Sequence, residues 1–235
     1  METVPNFRGE NMETDGPEKK DSSLDDRLAL TDHLKGEILA LATAMIEADD
    51  HKLYGMDLFA IGAANRAVAH CAGFKRMIKD RNLICAGSLL RLQIDTAIRF
   101  HASFLVKNPH EFSVEVLGGA AIREMKDQSG HKMTDRYLVG KLSSGAEWLP
   151  RVYHETSGYI HLSGKHLMSA FTPAGDHQID MKIDEIDKPL PDSIYIEAIE
   201  GFCAATSLFM KYLYGWVLTK SDPDLVRKQR NEGQA

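Results

Sequence analysis

The stretch LICAGSLLRLQIDTAIRFHASFLV, residues 83–106, has the apolar spacing of a long buried helix. Its large apolar side chains recur at helical intervals, so that many share one face of an α-helix. This predicted inner face carries Leu89, Leu92, Ile94, Ile98 and Leu105. Asn108-Pro109 ends the segment, because proline has no backbone N–H and clashes with the preceding helical turn. We therefore predict a core helix over about 83–106.

Similar apolar periodicity on both sides of this segment predicts a bundle of helices. Gly55 is expected to break the chain between the first two helices. Ser144 and Glu147 have the spacing of a capping box, which predicts the start of a helix at Trp148. The other predicted helices cover 31–52, 57–80, 111–117 with a continuation over 120–125, 135–141, 148–160 and 192–218.

A different pattern precedes the last helix. Ile179, Met181 and Ile183 alternate with charged residues, a period of two that is typical of a strand. Residues 167–171 are expected to pair with this strand across the turn-rich segment 172–176. The predicted fold class is therefore mainly α, a multi-helix bundle with one short β-hairpin before the last long helix.

Charge and composition divide the chain into three parts. Residues 1–28 are polar and acidic and are predicted to form a disordered tail; residues 29–220 form a single helical domain, and residues 221–235 a flexible tail. The first 26 residues contribute −5 of the net charge of −6, so the rest of the chain is nearly neutral. Residues 75–141 hold twelve basic and seven acidic residues, a weakly positive segment that falls short of a strongly basic nucleic-acid binder.

The cysteines and the apolar segments indicate a cytoplasmic protein. The three cysteines form no Cys-x-x-Cys pair and are expected to be reduced. The N-terminus has no apolar leader. Residues 198–218 are the most apolar long stretch, but Glu200 and Lys211 interrupt it, so we predict a core helix there and no membrane partner.

Arg91 and Asp95 are the first candidate site residues. Phosphate-loop, dinucleotide, HExxH and GxSxG motifs are absent from the sequence, and no cofactor is predicted. Arg91 and Asp95 lie four residues apart within the apolar 83–106 segment, so they share one helix face. They form either an internal structural pair or part of a functional site, because buried charges need partners.

The second candidate is the segment YHETSGYIHLSGKH, residues 153–166. Histidine suits proton transfer near neutral pH and also binds metals. Three interpretations stay open: capping and turn residues at a helix end, a general acid–base or phosphate-contact site, or a metal site. The metal site would require His154, His161, His166 and His177 to converge.

Three segments together resemble a known family: SLLRLQID (88–95), SGHKMTDRYLVGKL (129–142) and YHETSGYIHLSGKH (153–166). Their order resembles an uncharacterised, mainly bacterial all-α family with an Arg-x-x-x-Glu helix and a later Tyr-x-His-x-Ser segment. That family is similar to the HEPN-like superfamily, many of whose members are ribonucleases or components of toxin and phage-defence systems. The resemblance extends in layout over residues 56–220.

The resemblance implies site residues and partners. Arg91 and Asp95 fall on the Arg-x-x-x-Glu pattern, with Asp in place of Glu, and Tyr159 and His161 fall on the later segment. It implies a metal-independent ribonuclease that acts on RNA, with His161 as acid/base and Arg91 stabilising phosphate charge, and a homodimer paired through long helices. The superfamily's Arg-x4–6-His motif has its only literal match at Arg27…His33, a spacing expected by chance.

Two alternatives to the ribonuclease remain open. The chain would be a non-catalytic helical interaction module that acts through a protein partner, or a histidine-rich metal-binding helical protein. The ribonuclease and the non-catalytic module share one structural expectation. Arg91, Asp95, Tyr159 and His161 should converge in one polar pocket, because buried charged groups need hydrogen-bonding partners.

Overall fold

Eight α-helices and one antiparallel hairpin make up the computed structural model, which describes residues 23–175, 178–222, 224–225 and 227–228. The hairpin directly precedes the last long helix, so the predicted fold class is confirmed. The helices are α1 (Leu24–Glu47), α2 (Gly55–Lys79), α3 (Leu83–Ala102), α4 (Pro109–Leu117), α5 (Asp135–Leu142), α6 (Leu149–Ser157), α7 (Gly164–Ala170) and α8 (Asp192–Lys220); the strands are β1 (Phe171–Gly175) and β2 (Gln178–Met181).

The core lies between the four long helices. Helix α8 packs on α1 and α3, and α2 packs on α1, α3 and α4. Aromatic rings join these helices: Phe74 stacks on Phe202 with centroids 4.1 Å apart, and Phe100 meets Phe209 edge-on at 5.2 Å. On α3 the fully buried face runs through Ile94 and Ile98 as predicted, but Leu89 and Leu92 are only half-buried, as is Leu105, which lies beyond the end of α3.

Helix α8 is long and apolar enough to cross a membrane by length and composition alone. More than half of its most apolar window, 56%, is buried inside the bundle. That burial is typical of a central core helix, and α8 makes its contacts with α1 and α3.

A buried ion pair ties one end of the bundle together. Lys220, near the end of α8, and Asp57, in the first turn of α2, are both fully buried, with Nζ 3.1 Å from Oδ2. The ammonium also donates to the Met45 carbonyl at 2.7 Å, at the end of α1. The carboxylate accepts from the Trp216 indole N–H at 2.8 Å and the Tyr54 backbone N–H at 2.8 Å. Three helix ends therefore meet at one satisfied pair of charges.

A buried hydrogen-bond chain joins the middle of the bundle. His70 Nδ1 lies 2.9 Å from Gln93 Oε1, and Gln93 Nε2 donates to Thr206 Oγ1 at 3.0 Å. Burial lowers the pKa of His70, so its ring is neutral in the core. The chain links α2, α3 and α8 through side chains that have few alternative partners.

The first helix starts earlier than predicted. Ser23 caps α1: its Oγ accepts from the Asp26 backbone N–H at 3.2 Å, and Asp26 accepts from the Ser23 N–H at 3.1 Å. Leu28 is buried in the core. Residues 24–28 are thus helical, and the tail boundary at 28 is wrong, because acidic residues in a first turn stabilise a helix N-terminus. Residues 1–22, and most of the predicted C-terminal tail, lie outside the described residues.

Other boundaries also differ from the predictions: α1, α3 and α6 end three to five residues earlier than expected. Gly55 begins α2 and is not a break before it. Helix α6 starts at Leu149 with a proline in its first turn, and the expected Ser144–Glu147 capping box does not form. Residues 164–170 form α7, so the first strand lies over the segment expected to be a turn.

Replacing Lys220 by Met should lower the free energy of unfolding by about 3–5 kcal/mol, because it leaves the Asp57 carboxylate buried without its cation. Arg76→Met is the matched control, since Arg76 pairs with Asp80 on the exposed surface of α2. The control should change stability by no more than about 0.5 kcal/mol. Urea unfolding measures both, and equal effects would contradict the structural role of the buried pair.

His101→Phe should make the protein less sensitive to acid. His101 is buried at the end of α3 with its ring centroid 4.5 Å from that of Tyr212. Burial, with smaller effects of Lys211 and Lys141, lowers the pKa of His101 from 6.5 to about 4. The unfolded chain therefore takes up this proton first, and stability falls as the pH drops from about 6.5 towards 4.

The test compares how much unfolding free energy each protein loses between two pH values. Between pH 7 and pH 4.5 the wild type should lose about 2 kcal/mol more than His101→Phe in urea unfolding. An identical pH dependence in both proteins would show that His101 is protonated as easily in the folded state as in the unfolded chain.

Candidate functional site

A cavity of about 290 Å³ opens between α3, α5 and the end of α6. It is lined by Arg91, Leu92, Asp95, Asp135, Tyr153, Ser157, Ile160 and His161. Three of the four residues expected to converge therefore meet here, although up to 70 positions separate them in the sequence.

Helix α3 supplies the charged floor of this cavity. Arg91, Asp95 and Arg99 follow at intervals of four residues and so lie along one helix face. Asp95 accepts from Arg99 Nε at 2.6 Å and from Arg66 Nη2, on α2, at 3.3 Å. Within α3, Asp95 therefore pairs with Arg99 and not, as expected from the sequence, with Arg91.

Asp135 is the residue to which the other side chains of the cavity converge. It is the first residue of α5, whose N-cap is Thr134. One carboxylate oxygen accepts from Arg99 Nη2 at 2.7 Å; the other accepts from the Tyr153 hydroxyl at 3.1 Å and lies 3.5 Å from Arg91 Nη2. Helices α3, α5 and α6 therefore meet at one carboxylate.

The guanidinium of Arg91 is held flat inside the cavity wall. Its central carbon lies 3.9 Å from the centroid of the Tyr153 ring, a cation–π contact, and its side chain is 11% exposed. Arg91 Nε is buried and has no hydrogen-bond partner among the described residues. A buried N–H that lacks a partner is costly to stability.

The charges of the network leave a positive surplus. Three arginines (Arg66, Arg91 and Arg99) face two aspartates (Asp95 and Asp135). Burial alone would lower the pKa of Arg99, but the two carboxylates outweigh it and raise the pKa above its usual value. Burial raises the pKa of Tyr153; Arg91 lowers this pKa, and Asp135 raises it further. The phenol therefore stays protonated and donates to the Asp135 carboxylate. The network as a whole therefore carries one positive charge in excess, while the cavity lining itself holds Arg91, Asp95 and Asp135.

His161 lies at the rim of the cavity. It follows α6 in an exposed turn, so its imidazole is accessible to solvent and to a large ligand. The hydroxyl of Ser163 is used elsewhere: it donates to the Gly158 carbonyl at 2.7 Å and accepts from the Lys165 N–H at the start of α7. Ser163 thus shapes the turn and caps the next helix.

Tyr159 does not line the cavity, so the expectation that it joins Arg91, Asp95 and His161 is wrong. Its ring packs on Gly87 of α3, where a Cβ would lie 2.6 Å from the ring. Its backbone carbonyl accepts from Ser88 Oγ at 2.8 Å. Only glycine admits a ring this close to the helix backbone, so Tyr159 anchors the turn that carries His161.

The other histidines are separate from this site. His154 is exposed on α6, and His166 Nδ1 accepts from the Ser163 N–H at 3.2 Å. His177 lies outside the described residues. Within the residues that the structure describes, no group of three or more His, Cys, Asp or Glu side chains is arranged to hold a metal ion.

The literal Arg-x4–6-His match also lies elsewhere. Arg27 pairs with Glu200 of α8 at 3.2 Å, and His33 lies 3.8 Å from Glu37 on the exposed side of α1. Neither residue lines the cavity. These two residues therefore contribute surface contacts on α1.

Sequence reasoning missed Arg99, Asp135 and Tyr153, which complete the network. Arg99 carried a signal, since it lies four residues after Asp95 on the same helix. Asp135 is the first residue of the helix predicted over 135–141, which fixes its position in α5 but not its partners. The protein matches no protein-family model, no curated protein and no solved structure.

Gly87→Ala should destabilise the protein by about 1–3 kcal/mol, because the added methyl overlaps the Tyr159 ring and forces the turn away from α3. Gly62→Ala is the matched control: it lies within α2 and its added methyl meets nothing within 4 Å. The control should stabilise by up to about 1 kcal/mol through helix propensity. Urea unfolding compares them, and equal stabilisation would refute the packing of Tyr159 on Gly87.

Proposed function

We propose that the cavity binds an RNA phosphodiester and cleaves it without a metal, with His161 as the acid/base. The observation that carries the proposal is the shared cavity of Arg91, Asp95 and His161. A fixed guanidinium and an accessible imidazole are the two groups that this chemistry needs. The resemblance to the HEPN-like superfamily supports the same assignment and a role in a bacterial toxin or defence system.

The proposed reaction uses the 2′-hydroxyl of the RNA as nucleophile. Neutral His161 takes its proton, the 2′-oxygen bonds to phosphorus, and the bond from phosphorus to the 5′-oxygen breaks. The imidazolium then returns the proton to the leaving 5′-oxygen. The products are a 2′,3′-cyclic phosphate and a free 5′-hydroxyl end, with no net change in protons.

Arg91 would stabilise the charge that develops on the phosphoryl oxygens. Its guanidinium is already oriented by the Tyr153 ring and by Asp135, so little rearrangement accompanies the reaction. Asp95 acts through Arg99 and Arg66 and is a positioning residue in this mechanism. Exposed Arg136 and Lys141 on α5 supply positive charge for the flanking phosphates.

His161→Ala should lower the rate of RNA cleavage by about 10²–10⁴-fold, the usual cost of losing a catalytic acid/base. The substrate is a single-stranded RNA oligonucleotide in buffer with EDTA, and the same sequence as DNA should not be cut. His154→Ala is the matched control, since this exposed histidine lies on α6 outside the cavity. Both variants should melt like the wild type, because exposed side chains contribute little stability.

Two results would contradict the enzyme. A wild type that cuts no RNA would do so, and so would equal cleavage rates in His161→Ala and His154→Ala. Cleavage that stops on adding EDTA would instead contradict the metal-independent mechanism.

A second candidate is a non-catalytic interaction module, and one observation favours it. The segment 160–186 exposes eight large apolar side chains, more than a surface without a partner usually carries in so short a stretch. In this reading the charge network only fixes α3, α5 and α6 against one another. If the wild type cuts no RNA and its association with a partner depends on segment 160–186, the interaction module is supported and the ribonuclease is excluded.

A further inference from the structure

The segment 160–186, here called the arm, presents an apolar surface to solvent. It contains α7, the hairpin and the turns on either side of them. Its exposed large apolar side chains are Ile160, Leu162, Leu167, Met168, Ile179, Met181, Ile183 and Ile186. Apolar clusters of this kind mark interaction surfaces.

The hairpin within the arm is amphipathic, and its apolar face is exposed. Phe171 pairs with Met181 and Pro173 with Ile179, so these four side chains share one face of the sheet. Thr172 pairs with Asp180 on the opposite, polar face. Ile179 and Met181 are 63% and 75% exposed, which shows that the helical bundle does not cover this face.

The two outer edges of the hairpin differ. Lys182 donates its backbone N–H to the Ala170 carbonyl at 3.0 Å. In an antiparallel pair the backbone groups alternate in direction, so those of Asp180 also face β1, while those of Ile179 and Met181 face outward. The edge of β1 is interrupted by Pro173 and by an irregularity before Gly175, features that block strand addition. The edge of β2 carries neither.

The sequence along this open edge is complementary to itself. Residues 179–183 read Ile-Asp-Met-Lys-Ile; Met181, the last residue of β2, is at the centre, and Lys182 and Ile183 continue the edge beyond the strand. Two copies placed antiparallel about Met181 bring Ile179 opposite Ile183 and Asp180 opposite Lys182, twice over. Asp180 and Lys182 would then occupy the non-hydrogen-bonded positions, where side chains of paired strands lie closest.

We propose that two copies of this chain dimerise by pairing their β2 edges antiparallel about Met181, which forms a four-stranded sheet. The self-complementary charges and the single open edge select a second copy as the partner. Asp180 is exposed and makes no ion pair with any described residue, so its carboxylate is available. Lys182 pairs with Asp184 at 3.3 Å and donates to the Ile186 and Asp187 carbonyls, so its ammonium would exchange these partners within its own chain for Asp180 of the second copy.

This interface lies on the hairpin, whereas the family resemblance implies pairing through long helices. The proposal does not rest on the ribonuclease, because pairing needs only the backbone edge and the side chains of residues 179–183. Its tests measure association and crosslinking, and neither depends on RNA cleavage.

The first experiment measures the dissociation constant by sedimentation equilibrium. Asp180→Lys should weaken the dimer by about tenfold, because two like-charge pairs replace two opposite-charge pairs. Lys182→Glu should weaken it similarly. A mixture of the two variants should associate as a heterodimer, since every cross-strand pair in it again joins opposite charges. Arg123→Glu, an exposed charge far along the chain from the arm, is the control and should leave the dissociation constant unchanged.

The second experiment fixes the register by disulfide formation. The background is Cys85→Ser, since Cys85 is the exposed thiol, while burial raises the pKa of Cys71 to about 11 and that of Cys203 to about 12. Met181→Cys should crosslink to itself, because Cα atoms of such a pair are about 5.5 Å apart. Ile179→Cys should not, since its two copies would be more than about 10 Å apart, but it should crosslink in a mixture with Ile183→Cys.

Three outcomes would overturn the proposal. One is a wild type that stays monomeric at every concentration. Another is a dimer whose dissociation constant Asp180→Lys leaves unchanged, which would place the interface elsewhere. The third is crosslinking of Ile179→Cys with itself as efficiently as Met181→Cys, which would exclude the antiparallel register.

Discussion

The buried pair of Lys220 and Asp57 is the constraint on which the arrangement of the long helices depends. Two charges removed from water are stable only if their remaining hydrogen-bonding positions are satisfied, and here the Met45 carbonyl, the Trp216 indole and the Tyr54 amide do so. A shift of α8 by one residue would separate all of these partners. The pair therefore sets the register of α8 against α1 and α2.

That register also bears on the cavity, although none of the cavity residues contacts the buried pair. Thr206 on α8 holds Gln93, and Gln93 holds His70 on α2, so the register passes from α8 into the middle of α3. Gln93 lies between Arg91 and Asp95, whose side chains leave the other side of the same helix turn. The hydrogen bonds of Gln93 therefore hold α3 on the side opposite to its charged face.

The sequence predicted the helices better than it predicted the site. Periodicity located α3 and α8 because their burial is repeated every turn, and the charges of Arg91 and Asp95 stood out within an apolar stretch. Asp135 lies 36 residues after Arg99 in the sequence. Helical and strand periodicity relate only residues that are a few positions apart, so neither could predict this ion pair. The family resemblance implies a place for Tyr159 in the cavity, but the absence of a side chain at Gly87 lets its ring pack on the face of α3. The alternation in 179–183 indicates a strand, and β2 covers Gln178–Met181, but the pattern does not report that its apolar side is exposed.

The cavity and the arm are physically connected through α7. Ser163 joins the turn after α6 to the start of α7, Lys165 of α7 pairs with Glu155 of α6 at 2.9 Å, and Lys188 donates to the Phe171 carbonyl at the start of β1. These contacts run from the turn that carries His161 to the hairpin without passing through the core. Ordering β2 against a second copy would therefore restrict the same turn, and the apolar arm and the polar cavity would act as parts of one surface.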